Sequence, residues 1–181
     1  NTKNNESISV NNPSDMPNPI DIDSIFEPYI KIEIITPKDY IGSILNLCTN
    51  HRGKYIATNY LSIERAQLVF EMPLAEIIYD FFEKLKSVTS GYASLDYEII
   101  GDKVSNLTKL DVRVSGEIVD ALSIIVHKDN AYAQGSKLCK RLKEEIHRQQ
   151  FEIPIQATIG SKVISRETVK ALRKNVTAKC Y

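Results

Sequence analysis

The stretch EPYIKIEIITP, residues 27–37, decides the fold of this chain. Its isoleucines Ile30, Ile32 and Ile34 alternate with charged side chains, and this period of two predicts a half-buried β-strand. Thr36 and Pro37 then supply a helix N-cap and a proline at the first helical position. We therefore expect a strand that leads directly into a helix.

The segments that follow complete a regular order of elements. Apolar residues at helical spacing run up to Gly53, and two strands are predicted at 54–61 and 66–72. A broad apolar stripe predicts a second helix over 74–88, and alternation predicts a last strand over 92–100. Strand, helix, strand, strand, helix, strand is the ferredoxin-like or split βαβ order, with both helices on one face of an antiparallel sheet.

A second small α+β domain is predicted after this one. Two strands flank Gly116, a helix lies within 130–149, and a strand runs over 151–159, in which Pro154 indicates an edge or a bulge. A short helix is predicted over 166–174, with Val169 and Leu172 facing inward. Residues 1–26 are rich in Asn, Ser, Asp and Pro, which predicts a linker or the remnant of a preceding domain. Both ends of the chain lead us to expect a piece of a longer protein.

The sequence offers no constellation for catalysis or metal binding. Three cysteines without a C-x-x-C spacing argue against a disulfide framework or a zinc site. No histidine has a neighbour at metal-ligand spacing. Gly135 and Gly160 each precede Ser-Lys, but neither lies in the G-x-x-x-x-G-K-[ST] pattern that surrounds phosphates. No apolar run reaches the roughly 20 residues that span a bilayer.

The zero net charge conceals an asymmetry between the two halves. Residues 1–110 carry a net charge of −5 and residues 111–181 a net charge of +5. Arg166, Lys170 and Lys174 are spaced four apart, so the predicted helix would stack them on one face, which is unfavourable without a polyanion. This basic face is either an RNA-binding surface or a solubilising one, and composition alone does not decide between them.

Several stretches closely resemble the LepA family, also called elongation factor four. RQQFEIPIQATIGSKVISRETVKALRKNVTAKCY at 148–181 resembles the carboxy-terminal domain of the family, and VDALSIIVHKDNAY at 119–132 resembles the start of that domain. PLAEIIYDFFEKLKSVTSGYASLDYEIIG at 73–101 is similar to the family's counterpart of the fifth domain of elongation factor G. NPSDMPNPIDIDSIFEPY at 12–29 resembles the lead-in to that domain. The resemblance covers all but residues 1–11.

The resemblance implies a ferredoxin-like elongation-factor domain at 27–105 and a LepA-specific carboxy-terminal domain at 106–181, truncated before a basic tail. It also implies a parent that is a ribosome-dependent GTPase promoting back-translocation or rescue of stalled elongation. GTP and Mg²⁺ would belong to a G domain absent here, and this fragment would have no cofactor and no enzyme activity. Expected partners are the ribosome, tRNA and ribosomal RNA, with no small-molecule substrate. The implied location is cytoplasmic, with peripheral association of the parent at the inner face of the membrane allowed.

The RNA-facing residues that we predict all lie in the basic half of the chain. They are Lys162, Arg166, Lys170, Arg173, Lys174 and Lys179, with His127, Lys128 and Arg148 at the edge. The alternative function is a ferredoxin-like regulatory module that binds a small effector. A small ferredoxin-like hydrolase is disfavoured, because no catalytic constellation is present.

Overall fold

The computed structural model describes residues 1–173 and divides the chain into two compact units. Phe26–Val104 forms the ferredoxin-like unit. Asn1–Ile25 and residues 105–173 form what we call the second unit. Within Asn1–Ile25, two short 3-10 turns each begin with a proline, at Pro13–Asp15 and Pro19–Asp21. No helix in the described part of the chain is long and apolar enough to cross a membrane.

The ferredoxin-like unit contains the predicted sheet. Its strands are β1 (Phe26–Pro37), β2 (Lys54–Tyr60), β3 (Arg65–Pro73) and β4 (Ser94–Val104), all antiparallel, in the order β2-β3-β1-β4. Ile30, Ile32 and Ile34 are fully buried, and each pairs with a buried residue of β3. The α+β class and the split βαβ order are therefore confirmed.

The two helices of this unit are shorter than the sequence predicts. Helix α1 (Ile41–Asn50) begins only after a 3-10 turn over Lys38–Tyr40, because Thr36 and Pro37 still belong to β1. The Thr36 hydroxyl donates a hydrogen bond to the carbonyl of Pro37 and caps no helix. Helix α2 (Phe81–Val88) is likewise preceded by a separate 3-10 turn over Leu74–Glu76.

A largely buried arginine ties together three parts of the ferredoxin-like unit. Arg52 follows α1 and adopts a positive φ of 57°. It donates to both carboxylate oxygens of Glu27 on β1, at 2.6 and 3.3 Å, and to Glu76 at 2.9 Å. Burial alone would lower the pKa of Arg52, but the hydrogen bonds to Glu27 and Glu76 raise it above its ordinary value.

The second unit is a sheet covered by one long helix. Strands β5 (Leu107–Val114), β6 (Glu117–Ile118), β8 (Ile153–Ile159) and β9 (Lys162–Val169) lie in the order β6-β5-β8-β9, and β7 (Ile124–His127) also pairs with β5. All pairings are antiparallel. Helix α3 spans Lys128–Glu145. The sequence predicts one continuous strand after Gly116. A 3-10 turn over Asp120–Leu122 divides it into β6 and β7.

Gly135 explains how closely α3 approaches the sheet. A Cβ atom at this position would lie 3.0 Å from Cβ of Ala157 and 3.3 Å from Cδ1 of Ile164. Ala131 and Cys139, one turn to either side, are also buried. The Gly-Ser-Lys sequence at 135–137 thus has a packing role in the helix–sheet interface.

The helix predicted over residues 166–174 is wrong. Arg166 lies in the middle of β9, and residues 170–173 are not helical. The prediction rested on inward-facing Val169 and Leu172, but Leu172 is 58% exposed. Pairing with β8, interrupted by one bulge at Ile164, favours the strand, as do four β-branched side chains: Val163, Ile164, Thr168 and Val169. The stacking of Arg166, Lys170 and Lys174 on one helix face is withdrawn with it.

Candidate nucleic-acid interface

The sheet of the second unit has one face covered by α3 and one face turned away from it. Ile155 and Ala157 on β8 are fully buried on the covered face, within the cluster that includes Cys139 of the helix. On β9, Glu167 forms a 3.2 Å ion pair with Lys143 of α3, and Ser165 pairs with the buried Ala157 of β8. Because side chains alternate along a strand, the residues between these positions lie on the other face.

The predicted residues Lys162, Arg166, Lys170 and Arg173 are all exposed. Lys162 begins β9 just after the turn at Gly160, where φ is +60°. Arg166 lies between Ser165 and Glu167, so its side chain belongs to the face turned away from α3. Lys170 and Arg173 follow the end of β9. These four cations therefore occupy the last strand and the segment after it.

The remaining predicted residues lie at the ends of α3 or outside the described part. Lys128 is exposed at the first position of α3, and Arg148 is exposed in the segment after the helix. The His127 ring caps the helix, because its Nδ1 accepts a hydrogen bond from the Asp129 backbone N–H at 3.2 Å. Lys174 and Lys179 lie outside the described residues.

The sheet register adds two residues that the sequence did not single out. Arg113 on β5 pairs with Gln156 on β8, and Gln156 pairs with Arg166 on β9. Arg113 lies between Val112 and Val114, which both pack into the core beneath α3, so it shares the outer face with the other two. No spacing along the chain shows this row, since its members are 43 and 10 positions apart and only strand pairing joins them.

The charges on this outer face are incompletely neutralised. Asp111, also on β5, already accepts a 2.7 Å hydrogen bond from the Ser123 hydroxyl and lies 3.4 Å from the ammonium of Lys109. Across the described residues 1–173, neither Arg113 nor Arg166 forms an ion pair. Opposite charges that share a face normally pair across strands, so two such guanidinium groups in one row are available to an external anion.

The outer face of the ferredoxin-like sheet differs in this respect. Lys31 on β1 lies 3.4 Å from Glu33 and 4.0 Å from Glu98 on β4. Lys103 lies 2.7 Å from Glu71 and 5.0 Å from the ring centroid of Tyr29. Lys31 and Lys103 are therefore paired within the sheet, whereas the exposed Lys54 on β2 and Arg65 on β3 form no ion pair among residues 1–173. Among the described residues, no group of three His, Cys, Asp or Glu side chains is placed to hold a metal ion in either unit.

Two family profiles match the chain in succession. Residues 24–113 match the family described as elongation factor G C-terminus, and residues 114–181 match the GTP-binding protein LepA C-terminus. A solved chain from Thermus thermophilus aligns with 45% of this chain and 12% of its own length, at 20% identity and a TM-score of 0.41. That likeness is too low to bear on the fold.

Curated relatives match over nearly the whole chain. Elongation factor 4 of Cytophaga hutchinsonii is 57% identical over 99% of this chain, and elongation factor 4 of Bacillus cytotoxicus is 55% identical over 98%. The chain spans about 30% of the length of these relatives. The first family match ends at residue 113, nine residues beyond the ferredoxin-like unit, and so includes most of β5 of the second unit. The chain belongs to the LepA, or elongation factor 4, family of translation factors.

Proposed function

We propose that this chain is the ribosome- and tRNA-binding portion of a LepA-type translation elongation factor. The observation that carries the proposal is the set of exposed cations between Lys128 and Arg173, which lie within residues 114–181, the part of the chain that matches the LepA-specific family. Cations that neutralise phosphates release counterions, and this release supplies most of the salt-dependent affinity for RNA. The physiological step would be back-translocation or the rescue of stalled elongation by the whole factor.

The two units would contribute differently to the affinity for RNA. Lys31 and Lys103 on the outer face of the ferredoxin-like sheet are already paired with carboxylates, so we expect these two cations to contribute little affinity for RNA. The second unit would supply the contacts with tRNA and ribosomal RNA through Lys162, Arg166, Lys170, Arg173, Lys174 and Lys179, with His127, Lys128 and Arg148 at the edge. His127 would contribute through its position at the start of α3, since its Nδ1 already caps the helix.

Nucleotide chemistry is not part of the proposed role of this chain. Its sequence contains no G-x-x-x-x-G-K-[ST] loop whose amides and lysine could hold the phosphates of GTP. GTP and Mg²⁺ would be handled by a part of the whole factor that this chain does not include. We therefore expect no binding of labelled GTP by equilibrium dialysis, and stoichiometric binding at micromolar concentration would contradict this expectation. The proposed location is the cytoplasm, and peripheral membrane association stays a prediction.

Fluorescence anisotropy with labelled tRNA over a salt series tests the proposal. We expect the triple variant Lys162→Gln, Lys170→Gln, Arg173→Gln to lower the slope of log affinity against log salt by about one unit per lost contact. The matched control removes three exposed cations of the ferredoxin-like unit: Lys54→Gln, Arg65→Gln and Lys86→Gln. Equal losses in both variants would mean that only net charge matters, and the assignment of the site would fail.

A further inference from the structure

We infer that three residues on neighbouring strands of the second unit, the row Arg113–Gln156–Arg166, bind the phosphodiester backbone of RNA. The inference rests on the proposed function and names the surface that performs it. Neither Arg113 nor Gln156 is singled out by the sequence, and the row exists only through the register of β5, β8 and β9.

The geometry of the row suits a polyanion with regularly spaced charges. Neighbouring strands lie about 4.8 Å apart, so the two arginines, which are separated by one strand, begin roughly 10 Å apart. Side chains of paired residues project from the same face, and Arg113 and Arg166 therefore flank Gln156 on either side. Two phosphates of one RNA strand could be held at once, one by each guanidinium group.

The chemistry of the row is suited to phosphate better than that of the surface lysines. Guanidinium is planar and presents paired N–H donors that match two phosphate oxygens. The pairing of β5, β8 and β9 fixes the backbone of all three residues, so less conformational entropy is lost on binding than by residues in a loop. Gln156 places an uncharged amide between the two cations, where a carboxylate would have offset one of the two positive charges.

The competing explanation is that these arginines are ordinary charges on a solvated sheet face. That explanation predicts partners on neighbouring strands such as those of Lys31 and Lys103 in the ferredoxin-like sheet, although Lys54 and Arg65 of that sheet have none among residues 1–173. The nearest acid along β5 is Asp111, which is 8% exposed and already engaged with Ser123 and Lys109. The row lacks such partners among residues 1–173, and a bound phosphate chain would supply them.

The test compares two double variants that remove the same charge from opposite sides of the second unit. The variant Arg113→Gln with Arg166→Gln removes both guanidinium groups of the row. Lys137→Gln with Lys140→Gln removes two cations from α3, on the opposite side of the sheet, and serves as the matched control. The probe is a fluorescein-labelled RNA hairpin, and affinity is measured by anisotropy over a salt series with the full chain.

Each phosphate contact adds about 0.9 to the slope of log affinity against log salt concentration. We therefore expect the row variant, which loses two contacts, to lower this slope by about two units and the affinity near 0.1 M salt by about 60-fold. The control should lose much less. If the wild type binds well and the row variant binds no more weakly than the control, the row does not bind RNA, and the proposed function of the chain is unaffected. If the wild type shows no salt-dependent binding, both are overturned.

An isosteric variant separates binding from folding. Gln156→Glu keeps the size of the side chain and places a carboxylate between the two arginines, where it pairs with them in place of RNA. We expect weaker RNA binding, with a midpoint of thermal unfolding that is unchanged or higher. If Gln156→Glu binds the hairpin as tightly as the wild type, the row does not contact RNA.

Discussion

Replacing Arg52 by methionine tests what holds the ferredoxin-like unit together. Methionine keeps most of the side-chain volume but leaves Glu27, whose side chain is 8% exposed, without its two charge-assisted hydrogen bonds. Removing one partner of a buried ion pair typically costs about 3–5 kcal/mol, because the other charge stays buried and uncompensated. Glu76 is more exposed, at 23%, and can turn toward water after the change. We therefore expect the lower end of the range, about 3 kcal/mol.

This loss of stability should be visible in a thermal unfolding experiment. For a unit of this size, 1 kcal/mol corresponds to roughly 4–8 °C in the unfolding midpoint, so the midpoint of the ferredoxin-like unit should fall by about 12–24 °C. Circular dichroism of the whole chain measures it, and hydrogen exchange at β1 amides assigns the change to this unit. RNA binding by the second unit at low temperature should be retained.

The double variant Arg52→Met with Glu27→Gln supplies the control. With the carboxylate replaced by an amide, no buried charge is left unpaired at this position, and most of the lost stability should return. If Arg52→Met alone costs less than about 1 kcal/mol, the bridge contributes no more than a surface ion pair. If the double variant is as unstable as the single one, packing around Arg52 matters and its charge does not. Either result would refute the reasoning.

Three further predictions concern packing and the buried thiols. Gly135→Ala should destabilise the second unit by about 1–2 kcal/mol in urea unfolding, because the new methyl group meets Ala157 at 3.0 Å and this overpacking exceeds the gain in helix propensity. Gly53→Ala should destabilise the ferredoxin-like unit, since the new Cβ would lie 2.6 Å from the Cys48 carbonyl oxygen. Gly42→Ala, whose Cβ would have nothing within 4 Å, should instead stabilise α1 by roughly 0.5–1 kcal/mol. Equal changes in the free energy of unfolding for the two variants would contradict this packing. Burial raises the pKa of Cys48 from 9.0 to about 12, so alkylation of this thiol near pH 8 should be slow by peptide mass spectrometry. Because the unfolded thiol ionises first, stability should fall as the pH rises from about 9 towards 12.

The ferredoxin-like unit was predictable because its core follows simple periods. The isoleucines of β1 face the alternating residues Leu68, Phe70 and Met72 of β3, and all of them are buried as the alternation requires. The alternation fails at the edge of the sheet. Ile99 has the right parity for the core face of β4, but it is 66% exposed because β4 is an edge strand.

The errors share a physical cause, which is that short local signals compete with tertiary pairing. Thr36-Pro37 has the composition of a helix start, yet the pairing of β1 with β3 continues through both residues. Val169 and Leu172 are spaced as in a helix, yet β8 recruits residues 162–169 as a strand. Basic residues were found by composition, whereas their grouping across strands depends on register, which the sequence does not display.

Cosedimentation of the chain with purified ribosomes over a salt series measures the proposed ribosome binding itself. We predict saturable binding at low salt, with log affinity falling linearly with log salt, and a smaller slope for the variant Arg113→Gln with Arg166→Gln. The salt dependence reports phosphate contacts, and saturation distinguishes a site from non-specific adsorption. The chain does not bind ribosomes if, even at the lowest salt, they pellet no more of it than of an unrelated protein of equal charge.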